Sequence, residues 1–217
     1  MPRLHPRDRI FLCGTTGEGK SLLSRSLFQA APAPKVVVDP VGSSMTAEIG
    51  PMVTFRDPTR LPDAAVTRFV PYDPQDLDAY EVLHQRLWAR LKRAVAAGDS
   101  RWWSLWMWWD EAGMVMPVHK APPSAVSMVV TGRKWNIGGA ACHTRPREVH
   151  RQVPAQSQHA VIFGLGLDED RAYVAGQCSI SKAELDQVLD ELPSGPGCVW
   201  WELCSRTLHP LELEVVR

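Results

Sequence analysis

The chain has 217 residues, 45% of them hydrophobic and 22% charged, with 24 basic side chains against 24 acidic ones. That profile excludes a disordered chain and is large enough to bury a full core, so residues 1–217 are read as one domain. Zero net charge excludes a broadly basic nucleic-acid-binding surface, so any such contact must be local.

The cysteines, at 13, 142, 178, 198 and 204, form no CxxC pair. This argues against a zinc site or a disulfide framework and for a reducing, cytoplasmic setting. The basic start MPRLHPRDRI runs into only a short apolar stretch, so no signal peptide is predicted.

The first predicted strand is Ile10–Cys13, followed by a glycine loop and a helix from near Lys20, with Leu22, Leu23, Leu27 and Phe28 at near-helical spacing. KVVVDP has the form of a buried parallel strand, and VTFRD and RFVPYDP are two further strand candidates. Residues 76–97 form the clearest helix. Leu77, Tyr80, Leu83, Leu87, Leu91 and Val95 make its apolar face, and Gly98 stops it.

Next comes RWWSLWMWWDEAG, which holds five of the nine tryptophans and ends on Asp110–Glu111. It is about half the length of a bilayer span and reads instead as a central strand, apolar on both faces. Trp102 and Trp103 would open that strand, either filling the core or reaching a subunit or DNA contact. A helix from about Pro123 to Trp135 follows, then the strand GAACHTRP, a short helix, the strand HAVIFGLGL and helices near 168–177 and 181–192. GCVWWELC and LHPLELEVV close the chain as a predicted β-hairpin. Strands alternating with helices predict an α/β fold with a mostly parallel central sheet and helices on both faces.

Gly14-Thr15-Thr16-Gly17-Glu18-Gly19-Lys20-Ser21 matches the phosphate-loop pattern G-x-x-x-x-G-K-[ST] between a strand and a helix. The glycines let backbone N–H groups turn inward toward phosphate oxygens. Lys20 would reach the terminal phosphates, and the Ser21 hydroxyl would ligate Mg²⁺. The pattern predicts a P-loop NTPase site for ATP and Mg²⁺. Phosphoryl transfer also needs a carboxylate for the Mg²⁺ shell at the end of a rigid strand, and hydrolysis needs a group to deprotonate water. Asp110 and Glu111 supply these in that order.

Together, GTTGEGKS, VVVDP, WMWWDEAG and SMVVTGRKWNIGGAACHTRPREV resemble, in order and spacing, the FtsK–HerA superfamily of ring-forming DNA-translocating ATPases, over roughly residues 9–178. The shortness of the chain makes it most similar to the minimal viral genome-packaging ATPases of membrane-containing double-jelly-roll viruses. The resemblance implies a RecA/ASCE-like core and a homo-oligomeric ring, hexamer or pentamer, acting on double-stranded DNA at a capsid vertex or beside a viral membrane protein. It puts Thr144 where the family has a sensor glutamine. Threonine is shorter, so it would act through water, or His143 would substitute, or sensing would be weak. Arg133 and Arg145 become the candidates for an arginine reaching a neighbour's γ-phosphate. For DNA, short basic segments are expected: Arg86, Arg90 and Arg93 on the long helix, and Arg145, Arg147 and Arg151.

A cellular or plasmid FtsK/HerA-like pump, a small P-loop phosphotransferase and a non-enzymatic nucleotide-ordered subunit are the rival readings. Glu111 and the arginines count against the phosphotransferase. A Cys142–His143 dyad is set aside because adjacent strand residues point to opposite faces.

Overall fold

The computed structural model describes residues 4–192, 197–203 and 207–212, the last of these as backbone. In chain order the elements are β1 (Arg9–Cys13), α1 (Lys20–Ala30), β2 (Lys35–Val38), α2 (Ser44–Ala47), β3 (Val53–Phe55), β4 (Val66–Phe69), α3 (Leu77–Ala97), β5 (Leu105–Trp109), α4 (Ala112–Val115), α5 (Pro123–Thr131), β6 (Ile137–His143), α6 (Gln152–Ala155), β7 (His159–Ile162), α7 (Asp168–Cys178), α8 (Lys182–Asp190), β8 (Gly197–Glu202) and β9 (Thr207–Glu212).

The nine strands form one sheet in the order β3-β4-β2-β5-β6-β1-β7-β8-β9. All pairings from β3 through β7 are parallel, whereas β8 and β9 are antiparallel. This is the mostly parallel α/β architecture with a terminal hairpin that the sequence predicts. Cys204 and residues 213–216 of the hairpin expectation lie outside the described residues.

The tryptophan run divides differently from its prediction. Asp99 accepts a hydrogen bond from the Arg101 N–H at 3.1 Å and caps a 3₁₀ turn over Ser100–Trp102, so the strand begins only at Leu105. Trp102 is buried beneath the guanidinium of Arg90, 4.9 Å away, and Trp103 stands 53% exposed on the surface. Within β5 the pleat sends alternate side chains to opposite faces. Leu105, Met107 and Trp109 join the core under α3, α5, α7 and α8, while Trp106 and Trp108 join the core under α1.

That second face of the central strands has α1 as its one long helix, so bulky side chains must fill the space. Trp106 and Trp108 do so around Phe28, each with ring centroids 5.9 Å from it. On the first face, Trp109 donates its Nε1–H to the buried His84 Nε2 at 3.0 Å. His84 Nδ1 meets the Tyr80 carbonyl at 2.6 Å. Burial pushes the His84 pKa down to about 4, so the ring is neutral and both nitrogens are used.

Two predicted segments also shift. The apolar face of α3 ends at Ala94, with Val95 45% exposed. The helix expected to reach Trp135 ends at Thr131 and tightens into a 3₁₀ turn over Gly132–Trp135, closed by Asn136 in a left-handed conformation at φ 54. No helix among the described residues is long and apolar enough to cross a membrane.

Candidate active site

The C-terminal ends of β1, β2, β5 and β6 meet at one edge of the sheet, the position at which open α/β sheets bind ligands. β1 passes into the loop 14–19, which the Thr15 N–H pins to the Gly164 carbonyl after β7, at 2.8 Å. Gly17 and Gly19 have φ of 92 and 98, conformations that side-chain-bearing residues rarely adopt. Gly14 lies so close to Phe163 that a Cβ would sit 2.5 Å from that residue's Cβ. Gly19 caps α1 without a side chain, leaving the first helical N–H groups directed into the loop.

Lys20 is buried at the loop, and its amine donates to the Thr15 carbonyl at 2.6 Å. Ser21 is half-buried one residue on, Glu18 is half-buried beside Gly164, and Thr16 is exposed. The eight motif residues therefore form one continuous turn from β1 into α1, with Lys20 buried within it.

β6 lies between β1 and β5, and its register governs the rest of the site. Cys13 of β1 is level with His143, while Trp109 of β5 is level with Ala141. Two residues beyond Trp109, Glu111 therefore comes beside His143. Asp110 is buried, and its N–H is held by the Val38 carbonyl at 2.9 Å. Burial, then the neighbouring carboxylates of Asp39 and Glu111, push its pKa up to about 7 against the opposing pull of Lys20 and Arg68.

Asp39, at the end of β2, is itself buried. It accepts from Arg68 Nη2 at 2.6 Å and from the Thr46 hydroxyl. Three carboxylates thus face one ammonium and one committed guanidinium, an excess of negative charge that a divalent cation would relieve. No group of three or more His, Cys, Asp or Glu that could hold a metal occurs among the described residues.

Glu111 adopts a left-handed backbone, φ 45 and ψ 56, unusual for a residue with a side chain. Its Oε2 is 2.8 Å from His143 Nδ1 and accepts from the Thr144 hydroxyl at 3.4 Å. The imidazole contact is the largest influence holding the Glu111 carboxyl below its ordinary pKa, with Lys20 adding to it. The structure thus brings Lys20, Ser21, Asp110, Glu111 and Thr144 to one site. Cys142 turns to the α1 core, away from His143, and burial raises its thiol pKa.

The arginines are separated from this group. Arg145 is engaged within the fold, with Nε on Asp170 and Nη2 on Glu169, each at 2.8 Å. Arg147 pairs with Glu169 as well. Arg133 is exposed before the start of β6, and no described carboxylate pairs with it. The length of β6, about 20 Å at ~3.3 Å per residue, separates it from its own phosphate loop. On α3, Arg86 and Arg93 are exposed but Arg90 is not free, because it donates to the carbonyls of Leu61 and Pro62. The expected three-arginine stripe is therefore two.

Sequence reading missed the Asp39–Arg68 pair and the glycine after the carboxylates, Gly113, which faces the His143 ring. The Asp-Pro after KVVV and the spacing D-E-x-G were the visible signals.

No protein-family model matches the chain, nor does any curated protein sequence. Solved structures do share its fold. The genome packaging NTPase B204 of Sulfolobus turreted icosahedral virus 2, in complex with AMP, has a TM-score of 0.75 at 16% identity, over 98% of this chain and 100% of that one. VirB4 of Thermoanaerobacter pseudethanolicus has a TM-score of 0.67 at 13% identity, over 96% and 89%. ATPases 2 and 3 of EssC from Geobacillus thermodenitrificans reach 0.58 at 13%, over 94% and 39%. The chain shares the fold of these proteins, the P-loop ATPase fold that the sequence motifs imply.

Proposed function

We propose that the chain is an ATP-driven double-stranded DNA translocase that packages a viral genome into a preformed capsid, working as a homo-oligomeric ring. The observation that carries the enzymatic part is the meeting of the Gly14–Ser21 loop with Asp110 and Glu111 at one sheet edge, around the buried Lys20. The packaging part is supported by the shared fold with a genome packaging NTPase over the full length of both chains.

In this reading the loop N–H groups and Lys20 hold the ATP phosphates. Ser21 and Asp110 hold Mg²⁺, which when bound neutralises charge on the phosphates. Glu111 takes the proton of the attacking water, a role suited to a carboxylate that stays ionised and is in reach of solvent. Thr144 contacts Glu111 in place of a longer sensor side chain. Arg133, which pairs with no carboxylate among the described residues, is the stronger candidate for an arginine acting in a neighbouring subunit, because Arg145 is already tied to Asp170 and Glu169. DNA would meet local basic groups such as Arg86, Arg93 and Arg151, and the ring would work in the host cytoplasm at a capsid vertex or viral membrane protein.

A cellular or plasmid DNA pump is the second reading, since VirB4 shares the fold over 89% of its length. ATP turnover with and without double-stranded DNA tests the proposal. Acceptor-free hydrolysis, stimulated by DNA and weakened by salt, is expected. Phosphate transfer that requires a small-molecule acceptor would instead establish the phosphotransferase. Co-purification with a capsid or vertex protein separates the viral from the cellular case.

A further inference from the structure

The His143 imidazole is buried at the end of β6, where it lies against the proposed hydrolytic glutamate. Gly113 makes its seat. A Cβ at that position would fall 2.5 Å from Nε2, 2.8 Å from Cε1 and 2.9 Å from Cδ2 of the ring. Real Cβ atoms do not approach so closely, so the ring occupies the space of the missing side chain.

Nδ1 is buried and lies 2.8 Å from Glu111 Oε2, an ion-pair contact in which Nδ1 makes no aligned hydrogen bond. The Thr144 hydroxyl reaches the same Oε2. Among the described residues nothing hydrogen-bonds or ion-pairs with Oε1. From the other side, Nε2 is 3.4 Å from Glu148 Oε2, and Arg145 ties Glu148 to Asp170 at the start of α7.

We infer that His143 is the positioning residue of the hydrolytic site: seated in the gap left by Gly113, it anchors Glu111 by Oε2 and leaves Oε1 as the oxygen that faces water. The role rests on the proposed hydrolysis and assigns the device that sets its geometry. A carboxylate on a left-handed backbone, half open to solvent, has several rotamers available, and one anchored oxygen reduces them to one orientation. A misplacement of about 1 Å at such a group costs on the order of 100-fold in rate.

The test is a double-mutant cycle between His143→Ala and Gly113→Ala, read by kcat, KM, affinity for a fluorescent ATP analogue, and melting temperature. His143→Ala should lower kcat by about 10- to 100-fold and leave analogue affinity and KM unchanged. Gly113→Ala should lower kcat comparably by displacing the ring, yet cost nothing further when His143 is already alanine. His143→Asn, which can place an amide near the Nδ1 position, should recover part of the loss. A structural filler would lower the melting temperature without this pattern.

Wild-type kcat in His143→Ala, losses from the two substitutions that multiply, or an Asn variant no better than Ala would each overturn the role. Should His143→Ala fail to fold, His143→Asn and Gly113→Ala carry the same comparison. A wild-type chain that does not hydrolyse ATP removes the proposed function and this role with it. Wild-type turnover that is lost in Glu111→Gln but intact in His143→Ala removes the role alone.

Discussion

Replacing Asp110 by Asn should stabilise the nucleotide-free protein at neutral pH while abolishing Mg²⁺-dependent turnover. The Asp110 carboxyl has a folded-state pKa of about 7 against an ordinary 3.8, with burial first among the causes. A raised carboxylate pKa means that the folded state holds the proton more tightly than the unfolded chain. The resulting penalty is absent below pH 3.8, grows as pH rises, and is complete above 7. Three pKa units correspond to about 4 kcal/mol, a ceiling because Asp39 and Glu111 share in the shift. Asn keeps the shape and removes the charge. For a domain of this size each kcal/mol moves the melting point by about 2–4 °C, so a gain on the order of 10 °C at pH 8 is the upper expectation. Thermal unfolding of both proteins at pH 8 and pH 5, without Mg²⁺ or nucleotide, measures it, and the difference should shrink at the lower pH. An Asn variant that melts at or below wild type at pH 8, or a gain independent of pH, would refute the charge-excess account of this site.

His84 carries the opposite sign. Its folded pKa of about 4 lies below the ordinary 6.5, so stability is full above pH 6.5 and falls by up to about 3 kcal/mol as pH drops toward 4; His84→Gln should flatten that acid slope in a melting series. Lys20→Ala should abolish binding of a fluorescent ATP analogue and, because its ammonium opposes the Asp110 and Glu111 carboxylates, should also lower the melting temperature of the nucleotide-free protein at neutral pH. Arg133→Ala and Glu111→Gln, each inactive alone, should regain turnover in mixed rings if Arg133 acts across subunits. An absence of recovery in rings of demonstrated composition would exclude Arg133.

The sheet and the phosphate loop were legible because they depend on local pattern. Runs such as IFLC and KVVV are apolar on both faces, and the loop's glycines sit at positions where φ must be positive. The tryptophan run was legible as a buried strand but not in its start, because the Asp99 cap that delays β5 competes with β propensity. Why tryptophan fills β5 depends on α1 being the one long helix over the centre of its face, a fact of topology that no window of sequence contains. The same holds for the site. Asp110 and Glu111 follow from order and spacing. Glu111 meets His143, and Asp110 meets the Asp39–Arg68 pair, only through the parallel register of β5 with β6 and β2. Arg90 and Arg145 read as free basic groups in the sequence because the carbonyls of Leu61 and Pro62 and the carboxylates of Glu169 and Asp170 that hold them lie 24 or more positions away in the chain.

The most direct measurement is a single-turnover quench with Glu111→Gln and wild-type protein, each mixed with labelled ATP, Mg²⁺ and linear double-stranded DNA. Both proteins should bind ATP to the same extent, and wild type should release phosphate. The variant should retain intact ATP, with hydrolysis slower by at least about 100-fold, the scale of general-base catalysis. Hydrolysis by Glu111→Gln at the wild-type rate would contradict it.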